Sequence, residues 1–341
     1  MTRKGHPVMP PRATRRNHSV ALVGLSTMAL LAACGGEGSS GASGEKVRFG
    51  YINDFNGASL IAIADAKGLW KKHGLTAESK VFTNGPLQIQ ALGTDNLDFG
   101  YIGPGAMWLP ASGQAKVVAI NTLGNSDRVI AQPGITSMQG LKGKTVAVPE
   151  GTSGDMILSL ALKKAGMTKD DLEVVPMDPS TIVSAFSAKQ IDAAGFWYPA
   201  AATIKKQVPG MRELAKNTDF EDDVSFPTAF VASNKVVADQ PEKAGKVLAV
   251  LREAIAFRST HTDEAIEITA DKLDVPVEQV RADAANNKLL SVGELDSLTR
   301  DGTIATWLTG MNDYFVETGK LKEPVDPETY YTGDLFTGAG K

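Results

Sequence analysis

Five short stretches of this 341-residue chain place glycine, hydroxyl and amide groups directly ahead of a helix-like pattern. They are Asn53 to Ala58, Asn84 to Pro86, Gly103 to Ala106, Glu150 to Gly154 and Phe196 to Pro199, and none contains Lys or Arg. Glycine lets a backbone come close to a ligand, and Ser or Thr at a helix start leaves hydroxyls and amides pointing outward. A helix N-terminus carries roughly half a positive charge, so two or three converging can balance one anion without any basic side chain. Asp54 and Glu150 add carboxylates in two of the turns. A carboxylate enclosed without a partner is costly, whereas one meeting an ammonium group is stabilised. The chemistry on offer is non-covalent capture of a small anion or zwitterion. Each loop is also simply a good turn; five in one structural position favour a cradle.

Catalytic chemistry finds less support. Beyond the N-terminal leader the histidines are His73 and His261, and neither has a spacing typical of metal ligands. Gly151-Thr152-Ser153-Gly154-Asp155 has part of a nucleophile elbow but lacks its final glycine and a histidine nearby. There is no Walker-type loop. No metal, cofactor or enzymatic activity is expected.

The elements that must position the turns follow a strand, turn, helix rhythm. Strands are expected at Val47 to Ile52, Glu78 to Phe82, Phe99 to Ile102 and Val117 to Ile120. Helices are expected at Ala58 to Ala66, Pro86 to Leu92 and Ala106 to Ser112. The rhythm restarts after Asp127 with strands at Thr145 to Val148, Leu172 to Val175 and Ile191 to Phe196, and helices after Gly154 and at Ile182 to Phe186. Such alternation predicts parallel sheets covered on both faces and an α/β chain of two lobes. In open α/β sheets, ligands bind at the carboxyl ends of strands, where the five turns stand. From Pro241 the pattern is largely helical; Ile304, Trp307, Leu308, Met311 and Phe315 share one helical face and read as core.

The N-terminus carries Arg3, Lys4, Arg12, Arg15 and Arg16, then an apolar run from Val20 to Ala33 that is too short to span a bilayer stably. It closes on Leu31-Ala32-Ala33-Cys34, which resembles the lipobox of bacterial lipoproteins. Residues 1–33 are therefore expected to be a signal peptide, and Cys34, the one cysteine of the chain, to carry lipid. No thiol then remains for disulfides, metal ligation or nucleophilic attack. Residues 34–46 form the lipidated cysteine and a Gly/Ser-rich tether. Losing the leader's five basic residues leaves 30 Lys and Arg against 39 Asp and Glu, a net −9. That charge disfavours nucleic acid as a partner.

At the turns the chain resembles the solute-binding proteins of ABC importers for taurine, alkanesulfonates and nitrate. The resemblance runs from about Val47 to Phe230. It is carried by Lys67-Gly68-Leu69-Trp70 with His73-Gly74-Leu75, Asn96-Leu97-Asp98-Phe99-Gly100, Leu123-Gly124-Asn125-Ser126, Leu141 to Pro149 and Asp192 to Pro199. It implies a type II-like two-lobed periplasmic-binding-protein fold that closes on a ligand, with residues 47–128 and 226–341 in the first lobe and 129–225 in the second. It also implies an extracytoplasmic location and an importer permease with its ATPase subunits as partners; the protein itself is expected to be monomeric. The family's binding positions fall on Asn53, Gly57, Ala58, Gly103, Pro104, Gly105, Thr152, Ser153 and Trp197. Where taurine-binding members place an aspartate, this chain has Phe230. Taurine or another aliphatic sulfonate is the expected ligand. Nitrate, an aromatic carboxylate, a thiamine pyrimidine and a ligand-presenting sensory role remain alternatives.

Overall fold

A computed structural model describes residues 44–340; the leader, Cys34 and the tether through residue 43 lie outside the described residues. The short strands build two sheets. β1 (Glu45–Ile52), β2 (Leu75–Phe82), β3 (Phe99–Ile102) and β4 (Lys116–Gly124) enter the first. β5 (Asp127–Ala131), β6 (Thr145–Val148), β7 (Glu173–Pro176), β8 (Ala193–Trp197) and β9 (Arg212–Lys216) form the second. β10 (Pro227–Ala232) and β11 (Asn287–Leu289) return to the first. The strand orders are β11-β4-β10-β3-β1-β2 and β7-β6-β8-β5-β9. The chain thus changes sheets at Asn125 and Ser126, and again between Lys216 and Pro227.

Both sheets are mixed, which corrects the expectation of parallel sheets. β1 runs parallel to β2 and β3, and β6 to β7 and β8, as strands joined through helices must. β10 runs antiparallel to β3 and β4, and β5 to β8 and β9. These are the first strands after each crossing, and they enter their sheets from the other lobe without a crossover helix to reorient them. β3, β5 and β10 are buried along their whole length. Phe230 is wholly buried in β10, its ring 5.8 Å from Phe49 and 5.7 Å from Tyr101, so it belongs to the core of the first lobe.

The helices after the turns are capped by the turn residues themselves. Asp54, Asn84 and Thr152 precede helices Phe55–Ala66, Gly85–Gly93 and Ser153–Lys164, and each accepts an amide of the first turn. The helix expected from Ala106 to Ser112 is instead a 3-10 turn, Pro104–Ala106, and a one-turn helix, Trp108–Ala111. Pro110 lacks the amide that a helix running from Ala106 would need to bond back to the Ala106 carbonyl. In helix Thr303–Glu317 the stripe Ile304, Leu308, Met311 and Phe315 is buried and Trp307 is half-buried.

Candidate functional site

A cavity with about 490 Å³ of empty space, partly open to solvent, lies where the turns after β1, β3, β6 and β8 converge. The first lobe lines it with Ile52, Asp54, Asn56, Gly85, Tyr101, Gly103, Pro104, Ala106 and Thr228; the second contributes Asp127, Thr152, Ser153, Trp197 and Tyr198. Gly124 and Ser126 close it at the crossing. The lobes touch closely beside it: a Cβ on Gly105 would stand 2.2 Å from the Thr152 carbonyl, and one on Gly103 would meet the Ser153 hydroxyl at 3.5 Å. Trp108 Nε1 donates to the Gly151 carbonyl at 3.3 Å across the same boundary.

Of the residues singled out in the sequence, Asp54, Gly103, Pro104, Thr152, Ser153 and Trp197 line this cavity. Gly57 and Ala58 are buried behind it: the Gly57 amide donates to Asp54 Oδ1 at 2.6 Å and the Ala58 amide to the Asp54 carbonyl at 3.0 Å. Asn53 is exposed and borders a separate small hollow with Pro199 and Asp283. Glu150 is exposed, its carboxylate 3.7 Å from Lys320 Nζ, so it does not face Asp54 across the cleft as the turn positions suggest. Asp127 takes that place. Arg128, the basic side chain adjoining the turns, is committed at the crossing. Its Nη1 donates to the Asn125 and Asp127 carbonyls at 2.7 Å, its Nη2 to Asn286 Oδ1 at 2.8 Å, and its Nε lies 3.3 Å from Glu213.

The outward amides expected in the first turn are already used. Phe55 N–H donates to Asp283 Oδ2 at 2.7 Å, and Gly57 N–H to Asp54. An anion would have to be received by the turns at Gly103 and Thr152–Ser153 instead. The electrostatics around Asp54 are acidic. Burial pushes its carboxyl well above the usual range, and Asp283 and Asp127 push it further. Burial raises Asp283 to about 6 and also raises Asp127, against bonds from Ser153 and Asn217. The Tyr101 phenol, bonded to Thr228, is raised by burial and then by Asp54. Among the described residues no group of three or more His, Cys, Asp and Glu is arranged to hold a metal ion.

Tyr101, Ser126, Asp127, Tyr198 and Thr228 line the cavity without having stood out in the sequence. Tyr198, beside Trp197 in the same turn, had a readable signal. Asp127 opens β5 and Thr228 is the second residue of β10, strands whose sheet and direction decide where they point.

A family profile described as NMT1/THI5 like matches residues 57–265. A Brucella abortus protein, named as a binding protein, is 59% identical over 291 residues, spanning 85% of this chain and 91% of the relative. A Bacillus subtilis protein, named as an aliphatic sulfonates-binding protein, is 27% identical over 268 residues, 74% of this chain and 78% of its own length. The crystal structure of the periplasmic aliphatic sulphonate binding protein SsuA from Escherichia coli superposes with a TM-score of 0.66 at 22% identity, covering 86% of this chain and 99% of that one. The last likeness establishes the two-lobed periplasmic-binding-protein fold.

Proposed function

The chain belongs to the NMT1/THI5-like family, and from that premise we propose that it is the extracytoplasmic substrate-binding component of an ABC importer. Its ligand is a small organic molecule of the taurine and aliphatic sulfonate class, taken up between lobes that close over it and delivered to a permease driven by ATPase subunits. The observation that carries the reading is the cavity itself, bounded by turns from both sheets at the carboxyl ends of their strands. The names of the Bacillus subtilis and Escherichia coli proteins support the ligand class. Lipid on Cys34 holds the protein at the membrane surface, and among the described residues no helix is long and apolar enough to cross a membrane.

The test is a titration by calorimetry and intrinsic fluorescence against taurine, ethanesulfonate, nitrate, phthalate and 4-aminopyrimidine. At least one is expected to bind with one-to-one stoichiometry, raise the melting temperature and change the emission of Trp197, which lines the cavity. A folded protein that binds none of them would overturn the reading.

A further inference from the structure

We infer that the cleft holds its ligand by a positively charged nitrogen placed between Asp54 and Asp127, one carboxylate from each lobe. The inference rests on the solute-binding reading and deepens it by fixing the charge the ligand must bring. Both side chains line the cavity, and the two residues are only 7% and 4% exposed. Asp54 Oδ1 accepts the Gly57 amide; Oδ2 of this nine-tenths-buried residue accepts no hydrogen bond among the described residues. Asp127 takes Asn217 Nδ2 on Oδ2 at 2.8 Å, and the neighbouring Ser153 hydroxyl favours its charged form.

Arg128, the next residue, draws the Asp127 carboxyl down against burial, though its own donors are spent elsewhere. No Lys, Arg or His lines the cavity. Arg128 is spent on the crossing, and Arg258, wholly buried on helix Pro241–Thr260, is spent on Ser59 Oγ at 3.1 Å and the Asn121 carbonyl at 3.3 Å. Of the other titratable groups facing Asp54, Asp283 from helix Val277–Ala284 raises it further, while the Tyr101 phenol from β3, itself raised by burial and by Asp54, stays neutral. Two enclosed carboxylates repel each other and have lost their water, so the enclosed state requires protons or a cation. The aspartates are not gathered as metal ligands, and Tyr101 and Trp197 line the cavity with aromatic rings suited to an organic cation. The ligand is therefore an ammonium or amidinium compound. A zwitterion such as taurine fits by setting its anionic end against Gly103 and Thr152–Ser153, whereas a bare anion meets a buried acidic pair and brings it no cation.

The experiment measures Kd for taurine, ethylammonium and ethanesulfonate on wild type, Asp54→Asn and Asp127→Asn, with ligand-free melting curves to verify folding. An aminated probe should bind more tightly than ethanesulfonate, and either variant should weaken it by about 30-fold or more. Ethanesulfonate should be unaffected or tighter in the variants. The aminated probe should also bind more weakly at pH 5 than at pH 7.5, because protonation removes its partners. Preference of wild type for ethanesulfonate, or wild-type affinity for the aminated probe in both variants, would sink the inference. If only nitrate or phthalate binds, solute binding stands and this inference falls; if no small molecule binds, the solute-binding reading falls and takes the inference with it.

Discussion

Asp283 stands behind the cavity, holding the Phe55 amide, with burial pushing its carboxyl up to about 6. The folded protein thus binds this proton more tightly than the unfolded chain, whose aspartates titrate near about 3.9. The resulting stability is fully present below the unfolded value and is lost as pH rises through about 6. Asp98 and Glu253 act in the opposite sense. Against the effect of burial, Asp98 is held low by Arg48 and Lys243, and Glu253 by Lys72 and His73, so their contributions are lost only as pH falls through values below the usual carboxylate range. Between pH 7.5 and 5 the raised carboxyls dominate. Ligand-free protein should therefore melt higher at pH 5, with Asp283 contributing on the order of 1 kcal/mol. Asp283→Asn, which keeps an acceptor for Phe55, should reduce that rise; identical pH profiles for the two proteins would refute it. Asp54 was legible because it stands in a turn and caps a helix. Asp127 and Asp283 were not, since a strand's first residue and a residue near a helix end look like ordinary surface positions until the fold sets them around Asp54.

At the scale of elements, the contact between the Pro104–Ala106 turn and the start of helix Ser153–Lys164 is the closest approach of the lobes beside the site. Gly105 makes it possible, because a methyl group there would overlap the Thr152 carbonyl and the Ser153 amide. Gly105→Ala should leave each lobe folded but resist their apposition. Overpacking of this kind costs roughly 1–3 kcal/mol, a factor of about 5 to 150 in affinity. Calorimetry should show that loss while the ligand-free melting temperature stays near wild type. An unchanged Kd would mean that this contact is not part of the bound state. The capped helices were readable because Asp54, Asn84 and Thr152 announce them locally. β5, β9 and β11 were not. β9 reads Arg-Glu-Leu-Ala-Lys, a polar edge strand without a clean alternation, and β11 is three residues between helices. Their strand character comes from pairing with β5 and β4, which lie far away in sequence.

For the molecule as a whole, two lobes were legible because the strand and helix rhythm breaks and restarts, and because glycine and proline mark the turns. Strand direction was not legible: whether a strand runs parallel depends on which lobe the chain arrives from, and no local pattern records that. The lipid anchor is a separate question, since Cys34 lies outside the described residues and every residue lining the cavity comes at Ile52 or later. The acidic body gains nothing from an anionic bilayer, and no described helix can cross one. On the proposed anchor, membrane attachment is expected to rest on the Cys34 thiol and ligand binding to be independent of it. Cys34→Ser expressed in a bacterium that processes lipoproteins should move from the detergent phase to the aqueous phase on Triton X-114 separation, with Kd unchanged. Continued partition into detergent would show that something other than Cys34 carries the anchor, and a changed Kd would show that the leader and tether take part in the site.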